Sequence, residues 1–208
     1  MTLAQIRGLV KRNTSSDTKM MPDAAIDFQI NLAQKEIVRR TLPLKKNATV
    51  TTVADQEQYD LPSDFHKAVQ MKVNDIICEY RLEEQIDRLY TTDIDEGTPY
   101  YYYIDIEAGK YGLFPRPTGV LSGKFAYRAI PATMSDDADT PDIPELYHDA
   151  IVLDASCRVA HQLNNLDLHN HFYALYMQFM DQIDNDIAMR ATSDESPYPR
   201  SCDILDLP

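Results

Sequence analysis

Apolar residues recur at helical spacing at both ends of the chain and alternate with polar residues between them. Leu3, Ile6 and Val10 predict a short first helix that begins at Thr2. Pro22 suits the first turn of a second helix, where the missing N–H costs little. The apolar stripe of this second helix is Ile26, Ile30, Ala33 and Ile37. The polar positions mostly off that stripe are Gln29, Gln34, Lys35, Arg39 and Arg40.

The centre of the chain, residues 48–128, has the alternating period of β-strands. Val69, Met71 and Val73 alternate with polar residues and predict one buried strand face. Asn74-Asp75 predicts a two-residue hairpin turn. A second hairpin joins residues 100–106 to 110–114 around Gly109, because glycine takes positive φ readily. A short helix inside this region is predicted from the spacing of Leu82, Ile86, Leu89 and Tyr90.

Two further helices are predicted after an acidic, proline-containing loop at residues 135–144. The apolar stripe of the third helix is Leu146, Ala150, Leu153, Cys157 and Ala160. Asn164-Asn165 breaks it, and a fourth helix ends near Arg190. The stripe of the fourth helix is Leu168, Phe172, Leu175, Phe179, Ile183 and Ile187.

These patterns predict an α+β fold. Residues 1–46 and 134–190 would form an amphipathic bundle of two N-terminal and two C-terminal helices, with residues 47–133 as a β-rich insertion. Residues 191–208 contain three prolines and no periodicity, which predicts an extended C-terminal arm. The apolar tip of this arm is Ile204, Leu205 and Leu207.

Charge is distributed unevenly along the chain. The net charge is +5 over residues 1–46, −6 over 47–133 and −12 over 134–208, within a total of −13. Copies arranged head to tail could pair the basic third of one subunit with the acidic third of the next. The alternative interpretation is two unlike, solvated faces. The acidic balance argues against a protein that wraps nucleic acid, although DNA could slide past such a surface.

Composition also bears on the compartment. The three cysteines are far apart and form no Cys-x-x-Cys pair, which favours a reduced, cytosolic origin. The N-terminus has no signal-peptide pattern, and no apolar run approaches the ~20 residues that span a bilayer. We therefore expect no membrane association.

Residues typical of catalysis or cofactor binding form only weak patterns. The glycine-rich phosphate-binding motifs are missing from the sequence. His169 and His171 lie two apart on a predicted helix and point in different directions. The acidic loop could hold calcium, but it lacks the glycine and terminal glutamate of an EF-hand. Ser63, Asp64 and His66 are close in sequence without a nucleophile-elbow motif. We predict no catalytic residue, cofactor or metal.

The candidate functional residues are therefore those of an interface. Tyr100, Tyr101, Tyr102 and Tyr103 would alternate across a strand, so they either pack under cover on both faces or present one face to a partner protein. Charged candidates are Arg39 and Arg40 on the second helix and Asp136, Asp137 and Asp139 in the acidic loop. Apolar candidates are Ile204, Leu205 and Leu207.

The order of these parts resembles the head-to-tail adaptor (connector) proteins of tailed bacteriophages, most closely the larger adaptors of short-tailed phages. The segments that carry the resemblance are residues 49–53, 59–65 and 111–117, and Pro131 through the acidic loop to Ala150. The resemblance extends from about residue 22 to about residue 190 and rests on turn and helix-cap residues in a shared order.

The resemblance implies a structural virion protein without catalytic residues, located at the head–tail junction and made in the host cytoplasm. It implies a ring of about twelve copies beneath the portal protein. Such a ring would extend the DNA channel, let DNA pass without specific binding and offer a platform for tail or nozzle proteins. Two alternatives remain open: another neck or tail-completion protein, and a small metal-dependent hydrolase that uses the acidic loop.

Overall fold

The computed structural model describes residues 1–17, 19–40, 44–89 and 96–193. The helices are α1 Leu3–Thr14, α2 Asp23–Arg40, α3 Glu83–Leu89, α4 His148–Gln162 and α5 Leu166–Ser193. The strands are β1 Leu44–Thr51, β2 Gln58–Asp60, β3 Phe65–Val73, β4 Ile76–Tyr80, β5 Glu96–Gly97, β6 Tyr101–Asp105, β7 Lys110–Phe114, β8 Arg116–Pro117 and β9 Ser122–Ala129. The α+β class predicted from the sequence is confirmed.

The chain divides into two compact units. The helical unit comprises the described residues of Met1–Leu42 and Thr133–Pro208, and the strand unit comprises those of Pro43–Ala132. Within the helical unit α4 packs against α1, α2 and α5. No helix among the described residues is long and apolar enough to cross a membrane.

Helix α1 begins where the sequence predicts, because Thr2 and Gln5 form a reciprocal N-cap. The Gln5 N–H donates to Thr2 Oγ1 at 3.4 Å, and the Thr2 N–H donates to Gln5 Oε1 at 2.9 Å. These bonds satisfy backbone donors that the first turn leaves unpaired. Ser15 ends the helix in the left-handed region, with φ of 51°.

The apolar stripe of α2 is confirmed, since Ile26, Ile30, Ala33 and Ile37 are fully buried. Gln29 and Gln34 flank this stripe and are also buried. The buried part of the α2 surface is therefore wider than its apolar stripe alone.

The buried faces of the C-terminal helices differ from the predicted stripes. Leu146 lies in a short 3₁₀ turn before α4 and is 64% exposed, and Leu175 on α5 is 38% exposed. Among the α5 side chains that the structure describes, Phe172, Tyr176, Met180 and Ile183 are buried, and the Ile187 side chain lies outside that set. The core stripe therefore includes Tyr176 and Met180, which replace Leu175 and Phe179. Helix α5 also continues to Ser193, beyond the predicted end near Arg190, and residues 194–208 of the predicted arm lie outside the described residues.

Seven strands of the strand unit form one mixed sheet in the order β1-β9-β3-β4-β6-β7-β2. The β4–β6 pair is parallel and the other pairs are antiparallel. Strands β5 and β8 form a separate parallel pair. Asn74 and Asp75, with φ of 49° and 62°, make the predicted turn, and Gly109 takes the expected positive φ of 67°.

Strand β3 departs from simple alternation. Its register with β9 shifts between Phe65 and Lys67 and again between Ala68 and Gln70. The second irregularity is a β-bulge at Val69, which changes the parity of the strand. Met71 and Val73 are buried as predicted, but Val69 is 44% exposed, so its assignment to the buried face is wrong.

Candidate assembly surfaces

The acidic loop is held against the start of α1. The Asp139 carboxylate accepts hydrogen bonds from the backbone N–H groups of Ser135 and Asp136 at 2.7 and 2.9 Å. These two bonds hold the pKa of Asp139 below its usual value. The carbonyl oxygen of Asp139 accepts from the Leu3 N–H at 2.8 Å. The loop therefore satisfies a helix-terminal donor of its own chain.

Arg7 joins the acidic loop to α2. Its Nε and Nη2 atoms donate to the two carboxylate oxygens of Asp27 at 2.6 and 2.8 Å, and Nη1 lies 2.9 Å from Asp137. The Asp27 hydrogen bonds, with a further contribution from Asp137, raise the pKa of Arg7. Asp137, a candidate for pairing between subunits, thus has a basic partner in its own chain.

The charged candidates on α2 lie at the surface. The Arg39 and Arg40 side chains are 70% and 49% exposed, and each forms an ion pair with Glu36 at 2.8 and 2.6 Å. Burial opposes ionisation of Glu36, but the hydrogen bonds from the two arginines outweigh it and lower its pKa. Both arginines lie off the apolar stripe, and most of each guanidinium remains accessible to a partner.

The tyrosine run is divided between two cores. Tyr102 is 5% exposed and belongs to the main cluster around Phe125, whereas Tyr103 is 2% exposed and packs with Ile86 on α3. Cover on both faces was one of the two sequence-based interpretations. Tyr102 and Tyr103 are therefore core residues in the subunit, which favours cover on both faces over an interface role for these two side chains.

The other two tyrosines are accessible. Tyr100 is 39% exposed, and the Tyr101 ring lies 5.0 Å from the guanidinium carbon of Arg81 in a cation–π contact. The remaining apolar candidates, Ile204, Leu205 and Leu207, lie outside the described residues.

Two apolar surfaces were not identified from the sequence. On α5, Leu166, Tyr173 and Met177 are 61%, 50% and 36% exposed at positions that share one side of the helix. The sequence could have indicated this exposed apolar surface, because α5 has more apolar residues than one buried stripe requires.

The second missed surface is a groove of about 390 Å³ in the strand unit. Strand β4 pairs with β3 only at Met71–Val73, so the first half of β3 has no described strand beside it on this side. The groove opens there and is lined by Phe65, His66, Lys67, Ala68, Tyr80, Tyr102, Ile104 and Ile106. These residues are scattered along the sequence, so no local pattern reveals the groove.

The described groups that resemble catalytic sets have structural partners. Asp64, which lies close to Ser63 and His66 in sequence, accepts hydrogen bonds from Lys46 Nζ and the Tyr127 hydroxyl, both at 2.8 Å. Across residues 1–17, 19–40, 44–89 and 96–193, no group of three His, Cys, Asp or Glu side chains could hold a metal ion.

Cys157 and His169 form the one thiol–imidazole contact of the described residues, with Sγ 3.1 Å from Nδ1. Burial raises the pKa of the Cys157 thiol to about 11, so it is protonated at neutral pH. The same Nδ1 lies 3.1 Å from the Cys157 carbonyl oxygen, which is a partner for an N–H donor. This geometry suits a packed structural pair better than an activated nucleophile.

Comparisons with known proteins identify the family. A search of curated protein sequences found no match. A family model described as SU10 adaptor protein matches residues 1–200, nearly the whole chain. The chain therefore belongs to the SU10 adaptor protein family, a family of structural bacteriophage adaptors that assemble with other virion proteins.

Proposed function

We propose that this protein is a head-to-tail adaptor that forms a ring of about twelve copies beneath the portal protein. The ring would extend the DNA channel at the head–tail junction and provide a docking platform for tail or nozzle proteins of a short-tailed phage. The subunits would be made in the host cytoplasm and act without catalysis. The observation that carries this proposal is the family match over residues 1–200.

Exposed apolar positions support a role in assembly. Tyr173 and Met177 on α5 provide an aromatic and a flexible apolar side chain at the surface, residue types that are enriched where proteins bind one another. On β4, Ile77 and Tyr80 are 58% and 49% exposed. Each unit thus has its own surface that a neighbouring subunit or a partner protein could cover.

The charge of the chain is compatible with a DNA channel. At −13 per subunit, a ring of about twelve copies would carry roughly −156, which repels the DNA backbone. The ring as a whole would then let DNA pass without holding it.

Co-expression with the portal protein tests the proposal. Native mass spectrometry of the purified particles should show a ring of adaptor subunits bound to the portal oligomer. Replacing Tyr173 and Met177 together by Ser should reduce the ring while leaving the melting temperature nearly unchanged, because both side chains are already partly exposed.

The matched control is Val120→Ser, which removes an apolar side chain that is 76% exposed in the strand unit. It should leave the ring intact. Binding to a tail component in place of the portal would identify a tail-completion protein and contradict the proposal. If Val120→Ser and the Tyr173/Met177 variant reduce the ring equally, the exposed side chains of α5 no longer support the proposal.

A further inference from the structure

The outward face of strands β1, β9 and β3 is basic. Side chains alternate across these strands, so Val50, Phe125 and Met71 are buried while the neighbouring positions face outward. The cations on the outward side are Lys45, Lys67, Lys72, Lys124 and Arg128. We call these five residues the basic sheet face. They are distant in sequence and converge only through strand pairing.

Like charges are placed directly opposite one another on this face. Lys72 pairs with Lys124 in the β3–β9 register. Arg128 of β9 lies between Lys45 of β1 and Lys67 of β3. Like charges in such cross-strand positions destabilise a sheet, so stability of the fold does not account for the arrangement.

Carboxylates do not neutralise this cluster within the part of the chain that the structure describes. None of the five residues takes part in the ion pairs found there, whereas Lys46, the neighbour of Lys45 on the inward side, pairs with Asp64. The surrounding segment, residues 47–133, has a net charge of −6, so a local excess of cations is not a consequence of composition.

The other side chains on this face suggest the class of partner. Lys45, Lys72 and Lys124 surround a shallow depression of about 140 Å³ together with Asn47 and Gln70. Lysine is depleted at the centre of protein interfaces, where aromatic anchors are enriched. Lysine, arginine and side-chain amides are the groups that contact phosphate oxygens in nucleic-acid complexes.

The dimensions of the face agree with this assignment. Two exposed apolar side chains adjoin the cations: Val69 at the β3 bulge, and Ile77, which is paired with Lys72. Lys124 and Arg128 are four residues apart on one strand, which is about 13 Å, close to the axial rise of four base pairs.

We propose that the basic sheet face contacts the phosphate backbone of duplex DNA without reading its sequence. This inference adds a contact surface to the proposed function and does not depend on ring formation. In a protein with a net charge of −13, a contact of five cations is weak and salt-sensitive. The basic sheet face therefore attracts the DNA backbone, while the acidic remainder of the protein repels it.

Fluorescence anisotropy of the full chain with a labelled duplex of about 20 base pairs tests the proposal between about 50 and 200 mM NaCl. If all five cations neutralise phosphates, log K should fall with log salt at a slope of about −4.5. In Lys72→Gln/Lys124→Gln the slope should change to about −2.7, with affinity about 10-fold lower or more at the lowest salt. Duplexes of unrelated sequence should give equal results.

Two controls accompany this variant. Lys72→Arg/Lys124→Arg preserves the charges and should preserve the slope. Lys19→Gln/Lys35→Gln removes two exposed charges from the helical unit and should leave the slope unchanged.

Light scattering of the same samples reports ring formation separately. The proposal is overturned if the wild type does not bind at about 50 mM salt, or if the sheet and helical-unit variants lose affinity equally. It is also overturned if the sheet variant binds DNA normally but fails to self-associate, since the face would then bind an acidic surface of a second copy.

Discussion

Arg7 offers the sharpest test of how the helical unit is held together. Its guanidinium donates two parallel hydrogen bonds to Asp27 of α2 and lies 2.9 Å from Asp137 in the acidic loop. The Arg7 side chain is 13% exposed and that of Asp27 is 21% exposed, whereas that of Asp137 is 73% exposed. Replacement by Gln removes the charge and the paired geometry, and leaves a largely buried carboxylate without its main donor.

The expected cost follows from these exposures. Breaking a fully buried ion pair costs about 3–5 kcal/mol, and an exposed pair contributes about 0–1 kcal/mol. The Arg7–Asp27 pair lies between these limits, and the Asp137 contact adds little because solvent screens it. We expect Arg7→Gln to lower the free energy of unfolding by about 2 kcal/mol, which corresponds to a Tm about 4–8 °C lower for a chain of this length.

A double-mutant cycle isolates the pair. Urea unfolding of Arg7→Gln, Asp27→Asn and the double variant should give a coupling energy of about 1.5–2 kcal/mol. The matched control is the exposed pair of Arg39 and Glu36, which should couple by less than about 0.5 kcal/mol. If the Arg7–Asp27 coupling is no larger than this control, the inferred role of burial and bidentate geometry is refuted.

Three further outcomes are expected. Gly123→Ala should destabilise the strand unit by about 2 kcal/mol or more in urea unfolding, because a Cβ there would collide with a β3 backbone carbonyl. Gly119→Ala, which has open space around it, should cost much less, and equal costs would contradict the close approach of β3 to Gly123. Burial lowers the pKa of His148 from 6.5, so the unfolded state binds more protons and the free energy of unfolding should fall as pH drops below about 6.5. His148→Gln should abolish this pH dependence, and an unchanged pH dependence would exclude the imidazole as its source. Replacing Arg39 and Arg40 by Glu should slow ring assembly and weaken its salt dependence without unfolding the chain, as measured by light scattering at about 50 and 500 mM NaCl. A variant that assembles at the wild-type rate with the wild-type salt dependence would show that these two charges do not drive assembly.

Features that depend on residues close in sequence were predicted better than those that depend on tertiary packing. The cap at Thr2, the stripe of α2 and the break at Asn164 all depend on residues close in sequence, and each lies where it was expected. The stripe of α5 was misassigned because Leu175 and Tyr176 are both apolar enough to face the core, and the position of α4 decides between them. Val69 was misassigned because a bulge depends on the partner strand.

The surfaces were less predictable because they combine distant segments. Lys45, Lys72 and Lys124 share a face only through the register of three strands. The parallel pairing of β4 with β6, which places Tyr102 in the core, is likewise set by tertiary contacts. The net charge of a long segment also does not show which charges pair within one chain, and Arg7 forms an ion pair with Asp137 of the same chain.

The register of β1 with β9 has a consequence for how this chain can be rebuilt. Leu44 is paired directly with Ala129, so the strand unit starts and finishes at adjacent points roughly 5 Å apart. A segment whose first and last paired residues lie this close can be inserted at a single point of another chain as one piece. The buried clusters of the strand unit would move with it, because all of their residues lie between Leu44 and Ala129.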